Sequence, residues 1–162
     1  MRDVGTPLLL VYGMEDHKEF QFGWIIFVFV VPVQILITYF YVNDIGDNPL
    51  GTNGFITINL IIILTYLLFY GLTITIADKQ ITVSFGIGLI RKNIQLSQIK
   101  NVETVKNPWY YGWGIRFIPK GMLYNINGLD GIELKFNDTD KVIRIGTKDS
   151  MKLRQEIEKR LR

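Results

Sequence analysis

The chain of 162 residues has one histidine, His17, and no cysteine. Disulfides, thiolate metal sites, Cys nucleophiles and palmitoylation are therefore excluded. A Ser-His-Asp arrangement or a His/carboxylate metal site has almost nothing to build from, because it would rest on His17 alone, near the N-terminus. The carboxylates Asp130, Glu133, Asp138 and Asp140 fall in turns or at outward strand positions, and nothing pairs them as acid and base. GIGLI, residues 86–90, has the glycines of a phosphate loop but lacks the Gly-Lys-Ser/Thr that must follow. The expectation is a protein that is not an enzyme, with no cofactor and no metal.

What the chain concentrates instead is aromatic side chains. NPWYYGWGIRFIPKGMLYNINGLDGIEL, residues 107–134, carries Trp109, Tyr110, Tyr111, Trp113, Phe117 and Tyr124 among five glycines and two prolines. An aromatic ligand cage, a catalytic loop and the corners of a small β-barrel would all use such a stretch. The glycines suit corners and bulges that need positive φ or close backbone approach. Trp113, Phe117 and Tyr124 then serve as core or rim fillers. Residues 108–111, PWYY, form a loop whose aromatics are able to grip lipid headgroups or a partner, so Trp109, Tyr110 and Tyr111 are candidate contact residues.

Lys79, Arg91, Lys92, Lys100, Lys106, Arg116 and Lys120 make a second candidate set. Near an anionic leaflet each basic residue adds about 1 kcal/mol of attraction. The plainer account is the ordinary positive excess beside a membrane span. Within the set, Arg91 and Lys92 are the candidates for lipid contact. Nucleic acid is not expected, since the basic residues alternate with acids and no binding motif occurs.

The elements that position these residues come in two unlike parts. Up to Ala77 there are two basic and six acidic residues; from Asp78 onward there are sixteen and nine. Residues 22–42 carry no charge and one amide, Gln34, and residues 54–74 are also uncharged. At about 1.5 Å per residue each gives roughly 31 Å of helix, enough to cross a hydrocarbon core of about 30 Å. Pro32 falls inside the first span, and Trp24, Tyr39, Tyr41, Tyr66 and Tyr70 lie near the ends, as aromatic belts do. Gln34 and Thr38 share a helix face and are suited to bonding the second helix or another chain. The connecting loop has Asp44 and Asp47 but no Lys or Arg, while Lys18, Lys79, Arg91 and Lys92 flank the other side. Positive-inside asymmetry then puts both termini in the cytoplasm. Ahead of the spans, residues 8–12 form a short apolar run, and Met14 is an alternative start to Met1.

After Ile74 the apolar period becomes two. LTITIADKQITVSF reads as a strand pair around Asp78-Lys79, and GLIRKNIQL as a third strand. SQIK is a short helical turn, and five further short strands follow. In IELKF, Ile132, Leu134 and Phe136 face in while Glu133 and Lys135 face out. NDTD joins this strand to KVIRIG. The terminal helix has Thr147 or Asp149 as its cap and an apolar stripe at Leu153, Ile157 and Leu161.

The order of elements, with Gly112-Trp113-Gly114-Ile115-Arg116, Met122-Leu123-Tyr124-Asn125, Ile132-Glu133-Leu134 and Arg144-Ile145-Gly146-Thr147, resembles the bacterial pleckstrin-homology-like domains of membrane-anchored proteins. The resemblance covers about half the chain. It departs at Met122, where that family carries Trp, and at Asp138-Thr139-Asp140, where a Gly-containing turn is common. It implies an all-β pleckstrin-homology-like barrel capped by a C-terminal α-helix, and with the two apolar spans the expected fold is a two-helix transmembrane hairpin plus that barrel. The expected divisions are a tail over 1–19, the hairpin over 20–76 and the β domain over 77–162, with its last helix at about 148–161. The expected role is a non-catalytic binding or scaffolding module facing the cytoplasm from a bacterial inner membrane. The alternative is an accessory or assembly subunit of a larger membrane complex that uses the hairpin as its contact. Anionic membrane lipids and a membrane or cytosolic protein are the partners to expect.

Overall fold

A computed structural model describes residues 16–77 and 79–161. The apolar run at 8–12, the choice between Met1 and Met14, and the turn residue Asp78 lie outside the described residues. The chain opens with strand β1 (His17–Phe22), then helix α1 (Trp24–Val42), helix α2 (Thr52–Phe69) and strand β2 (Gly71–Ala77). Strand β1 pairs antiparallel with β2, from His17 opposite Ile76 to Phe22 opposite Gly71. The two apolar helices are thus inserted between neighbouring strands of one sheet.

This arrangement differs from the sequence expectation at both junctions. Residues 17–19, expected in a tail, begin a strand. The second apolar run does not stay helical to Ile74. It leaves the helix after Phe69 and alternates Leu72, Ile74 and Ile76, fully buried, with the half-buried Thr73 and Thr75. Period two prevails over apolar length once Gly71 lets the ring of Phe20 lie against its backbone.

Helices α1 and α2 are long and apolar enough to cross a membrane. They pack through stacked rings, Phe27 on Tyr66 at 4.9 Å and Tyr41 on Phe55 at 4.0 Å between centroids. Gln34 donates to Asn59 Oδ1 at 2.8 Å, so the polar face of α1 meets the second helix. Their outer faces carry exposed aliphatic and aromatic side chains.

Strands β3 (Gln80–Phe85) and β4 (Ile90–Gln95) complete a four-stranded sheet in the order β1-β2-β3-β4. Strands β5 (Ile99–Lys106), β6 (Gly114–Ile118), β7 (Gly121–Asn125), β8 (Asp130–Phe136) and β9 (Val142–Gly146) form a second sheet in the order β5-β8-β9-β7-β6. Among the described residues, only β7 and β9 run parallel in this sheet. Helix α3 (Ser150–Leu161) puts Leu153 and Ile157 into the same core as Leu72, Ile74, Val83 and Phe85 of the first sheet and Ile132, Leu134 and Ile145 of the second. Both sheets are open, so the expected closed barrel is not shown. The chain crosses from β4 to β5 through the single turn Leu96–Gln98 without a ladder between the sheets. A gap of about 310 Å³ lies between β4 and β7, lined by Lys92, Met122, Tyr124 and Lys141 among others. Burial pushes the Tyr124 phenol above its ordinary value.

Strand β1 escaped the sequence reading because its pattern is inverted. Phe20 and Phe22 point outward, while His17, Glu19 and Gln21 point in. The inward polar groups tie the two sheets together. Gln21 Nε2 donates to Gly146 O at 2.8 Å, and the Glu19 carboxylate accepts from Thr147 Oγ1 at 2.7 Å and from the Lys148 N–H at 2.9 Å. Thr147 is thereby engaged, and Asp149 caps α3 by accepting from the Lys152 N–H at 2.9 Å. Glu19→Ala removes the acceptor for two donors and is expected to destabilise the β domain by about 2 kcal/mol. Denaturant unfolding of the detergent-solubilised protein measures this, with the exposed Asp16→Ala as the neutral control.

Candidate functional site

The pairing of Phe22 with Gly71 brings both helix–strand junctions to one end of the first sheet, where Gly23 N–H donates to Tyr70 O at 2.8 Å. Three connections gather there. In the β3–β4 turn, Gly86 N–H donates to Gly71 O at 2.8 Å and Ile87 N–H to Leu67 O, inside α2, at 3.1 Å. Gly86 sits at φ +50, and any side chain there would strike the carbonyls of Leu67 and Leu68. The turn therefore lies against the last turn of α2, with Ile87 and Leu89 54% and 67% exposed. In the β7–β8 turn, Asn127 Nδ2 donates to Phe22 O at 2.6 Å, while Ile126 is buried under Gly23. The third connection is the aromatic loop, residues 107–113.

That loop is built on a charged platform. Glu133 and Arg144 are register partners on β8 and β9, and Arg144 Nε donates to Glu133 Oε2 at 2.7 Å. Arg144 also donates to Asn107 Oδ1 at 3.3 Å, and its guanidinium carbon lies 5.9 Å from the centroid of the Tyr111 ring. Asn107 is buried, and its N–H donates to Leu129 O at 2.7 Å. Tyr111 packs against Ile118, Leu123 and Val142. Between these fixed points Trp109–Tyr111 makes one 3-10 turn, closed by Gly112 at φ +70, a left-handed conformation that disfavours side chains. Trp109 and Tyr110 are held outward, 74% and 67% exposed.

The three candidate aromatics thus separate. Trp109 and Tyr110 line a groove of about 640 Å³ together with Trp113 and Arg116, opposite Ile25, Ile26 and Phe29 of α1. Tyr111 belongs to the platform. Arg116 Nε donates to Trp113 O at 2.9 Å, and Trp113 Nε1 is buried without a hydrogen-bond partner among the described residues. Arg91 and Lys92 are not brought together. They are successive residues of β4 and point to opposite faces, Arg91 bonding Gly88 O at 3.1 Å and Lys92 lining the gap between the sheets.

Two expectations need correction. Phe117 fills no core: it is 90% exposed on β6, an edge strand of the second sheet. Glu133 faces away from the core as expected, yet it is buried, because Arg144 covers that face. The Glu133–Arg144 pair was within reach of the sequence, since the NDTD turn sets the register that makes them neighbours. The α1 wall of the groove had no such signal, as Ile25 and Trp113 are distant in sequence.

Removing Arg144 leaves a buried carboxylate unpaired and unseats Tyr111. Arg144→Ala is expected to cost about 3 kcal/mol of stability, whereas Trp109→Ala, at a solvent-held position, is expected to change it by less than about 0.5 kcal/mol. Chemical denaturation of the two variants measures the difference.

No family model, no curated protein and no solved structure matches this chain.

Proposed function

We propose that this protein is a membrane-anchored, non-catalytic pleckstrin-homology-like module that binds or scaffolds a partner at the cytoplasmic surface of a bacterial inner membrane. The observation that carries the reading is the β1–β2 pair. Strands that precede and follow the hairpin lie side by side, so both flanks of the hairpin are on one side of it. The loop between the helices carries Asp44 and Asp47 and no cation, whereas the β domain is basic, and positive-inside asymmetry favours the cytoplasm for that domain. With one residue between strand and helix at each junction, Gly23 and Tyr70, the module has no linker. Its binding surfaces are held at a fixed height above the lipid, where tethering raises the effective concentration of a membrane-bound partner.

The runner-up is an accessory subunit that contacts a larger complex through the hairpin. The outer faces of α1 and α2 are apolar along their length and available to other helices. The hydrogen bond between Gln34 and Asn59 is formed within the hairpin itself, which favours the surface module.

The fold provides the experiment that separates them. Gly23 and Tyr70 are already hydrogen-bonded, so an Asn-Gly turn replacing residues 24–69 joins β1 directly to β2. The full chain and this hairpin-less domain are each used to recover partners from native membranes, with mass spectrometry of what accompanies them. Recovery by both supports the surface module; recovery by the full chain alone favours the accessory subunit. The β3–β4 turn against α2 makes a second expectation. Arg91→Gln is expected to weaken binding of the hairpin-less domain to anionic vesicles at low salt by about fivefold. Lys92→Gln, on the other face of β4, is expected to weaken it less. Unchanged vesicle binding in both would remove the lipid contact.

A further inference from the structure

The groove between α1 and the aromatic loop has a composition that bears on its occupant. One wall is Ile25, Ile26 and Phe29, within the first two turns of a helix long and apolar enough to span a membrane. The facing wall carries Trp109, Tyr110 and Trp113, the side chains that favour the lipid–water interface because one end is apolar and the other polar. Its size, about 640 Å³, is that of a small-molecule site.

Two donors beside this groove have capacity left over among the described residues. Arg116 is bonded through Nε to the Trp113 carbonyl, and among the described residues no carboxylate pairs with its guanidinium. Trp113 Nε1 is buried with no acceptor among the described residues. A buried indole N–H without an acceptor carries a desolvation cost that a bound acceptor would remove. Both groups are donors, and the Arg116 backbone bond fixes the guanidinium beside Trp113. An anionic oxygen acceptor attached to an apolar chain complements the Arg116 charge and the apolar α1 wall, and it is the class of group that Trp113 Nε1 lacks. A free anion satisfies the donors alone and leaves the α1 wall uncovered.

We propose that the groove holds one phospholipid molecule of the adjoining leaflet, its phosphodiester accepting from Arg116 and from Trp113 Nε1 and an acyl chain lying along Ile25, Ile26 and Phe29. The proposal rests on the membrane-anchored reading and specifies one ligand of that surface. Trp109 and Tyr110 close the outer side, and the Arg144 platform keeps them there.

The test uses the full-length protein, delipidated in mild detergent and titrated with palmitoyl-oleoyl phosphatidylglycerol, with retention read by native mass spectrometry. One retained equivalent is expected. Arg116→Gln is expected to weaken retention about tenfold, and Trp113→Phe, which keeps an aromatic ring but removes the N–H, about fivefold. Phe117→Ser, on the same edge strand but outside the groove, is expected to change nothing. Diacylglycerol, with the same chains and no phosphate, is expected to bind at least about tenfold more weakly. Millimolar inorganic phosphate is expected not to displace the lipid. Equal retention by wild type, Arg116→Gln and Trp113→Phe overturns the proposal, as does diacylglycerol binding as well as the phospholipid, or displacement by phosphate alone. Partner recovery from native membranes distinguishes the two levels. Lost lipid selectivity with preserved partner capture by the hairpin-less domain defeats the lipid site alone. Retained lipid with no capture defeats the module reading alone.

Discussion

The antiparallel pairing of β1 with β2 is the constraint on which the rest of the structure depends. It closes a long excursion of chain, α1 and α2, back onto a single hydrogen-bonded ladder, and the Gly23–Tyr70 bond is its last rung. Glycine at 23 admits the side chain of Ile126 and the Phe69 carbonyl, and glycine at 71 admits the ring of Phe20. With larger residues at either position the helices would stand off from the sheet. Because strand follows helix after one residue, orienting the hairpin also orients the β domain. The β3–β4 turn, the β7–β8 turn and the aromatic loop are gathered at the junction by the same geometry.

A second, local arrangement converts that geometry into a surface. Exposed aromatics on a free loop would lose conformational entropy on binding. Here Trp109 and Tyr110 extend from a turn whose two ends are fixed, by Asn107 on one side and Tyr111 on the other, both held by Arg144. Arg144 is held in turn by Glu133. The ion pair stabilises modestly as such pairs do, and its larger effect is positional. The backbone that carries Trp109 and Tyr110 is thus fixed at both ends.

Much of the architecture was legible in the sequence, for reasons that can be named. Two uncharged runs announced α1 and α2 by length, and alternation announced the strand pair around residues 78–79. The i, i+4 stripe Leu153, Ile157 and Leu161 announced α3. What was not legible shares one cause: the neighbour that decides a residue's environment is far away in the chain. The inward-facing residues of β1 are polar because their partners, Gly146 and Thr147, lie at the end of β9. Phe117 is exposed on β6, an edge strand of the second sheet, where nothing among the described residues covers it, which its own segment does not reveal. Glu133 is buried by a side chain from the next strand, and the groove exists only where α1 meets a loop of the second sheet.

The most direct test of the stitched hairpin exploits the absence of cysteine from the chain. Lys18 and Thr75 are register partners on β1 and β2, and Thr82 is one strand further on β3. Antiparallel partners lie about 4.5–5.5 Å apart at Cα, within reach of a disulfide, whereas a residue two strands away, at roughly 9.5 Å, is not. The measurement is the yield of intramolecular disulfide on mild oxidation of the full-length protein carrying Lys18→Cys with Thr75→Cys, against Lys18→Cys with Thr82→Cys. Near-complete bridging of the first pair and none of the second is the result this structure requires. Failure of the first pair to bridge, or equal bridging of both, would contradict it.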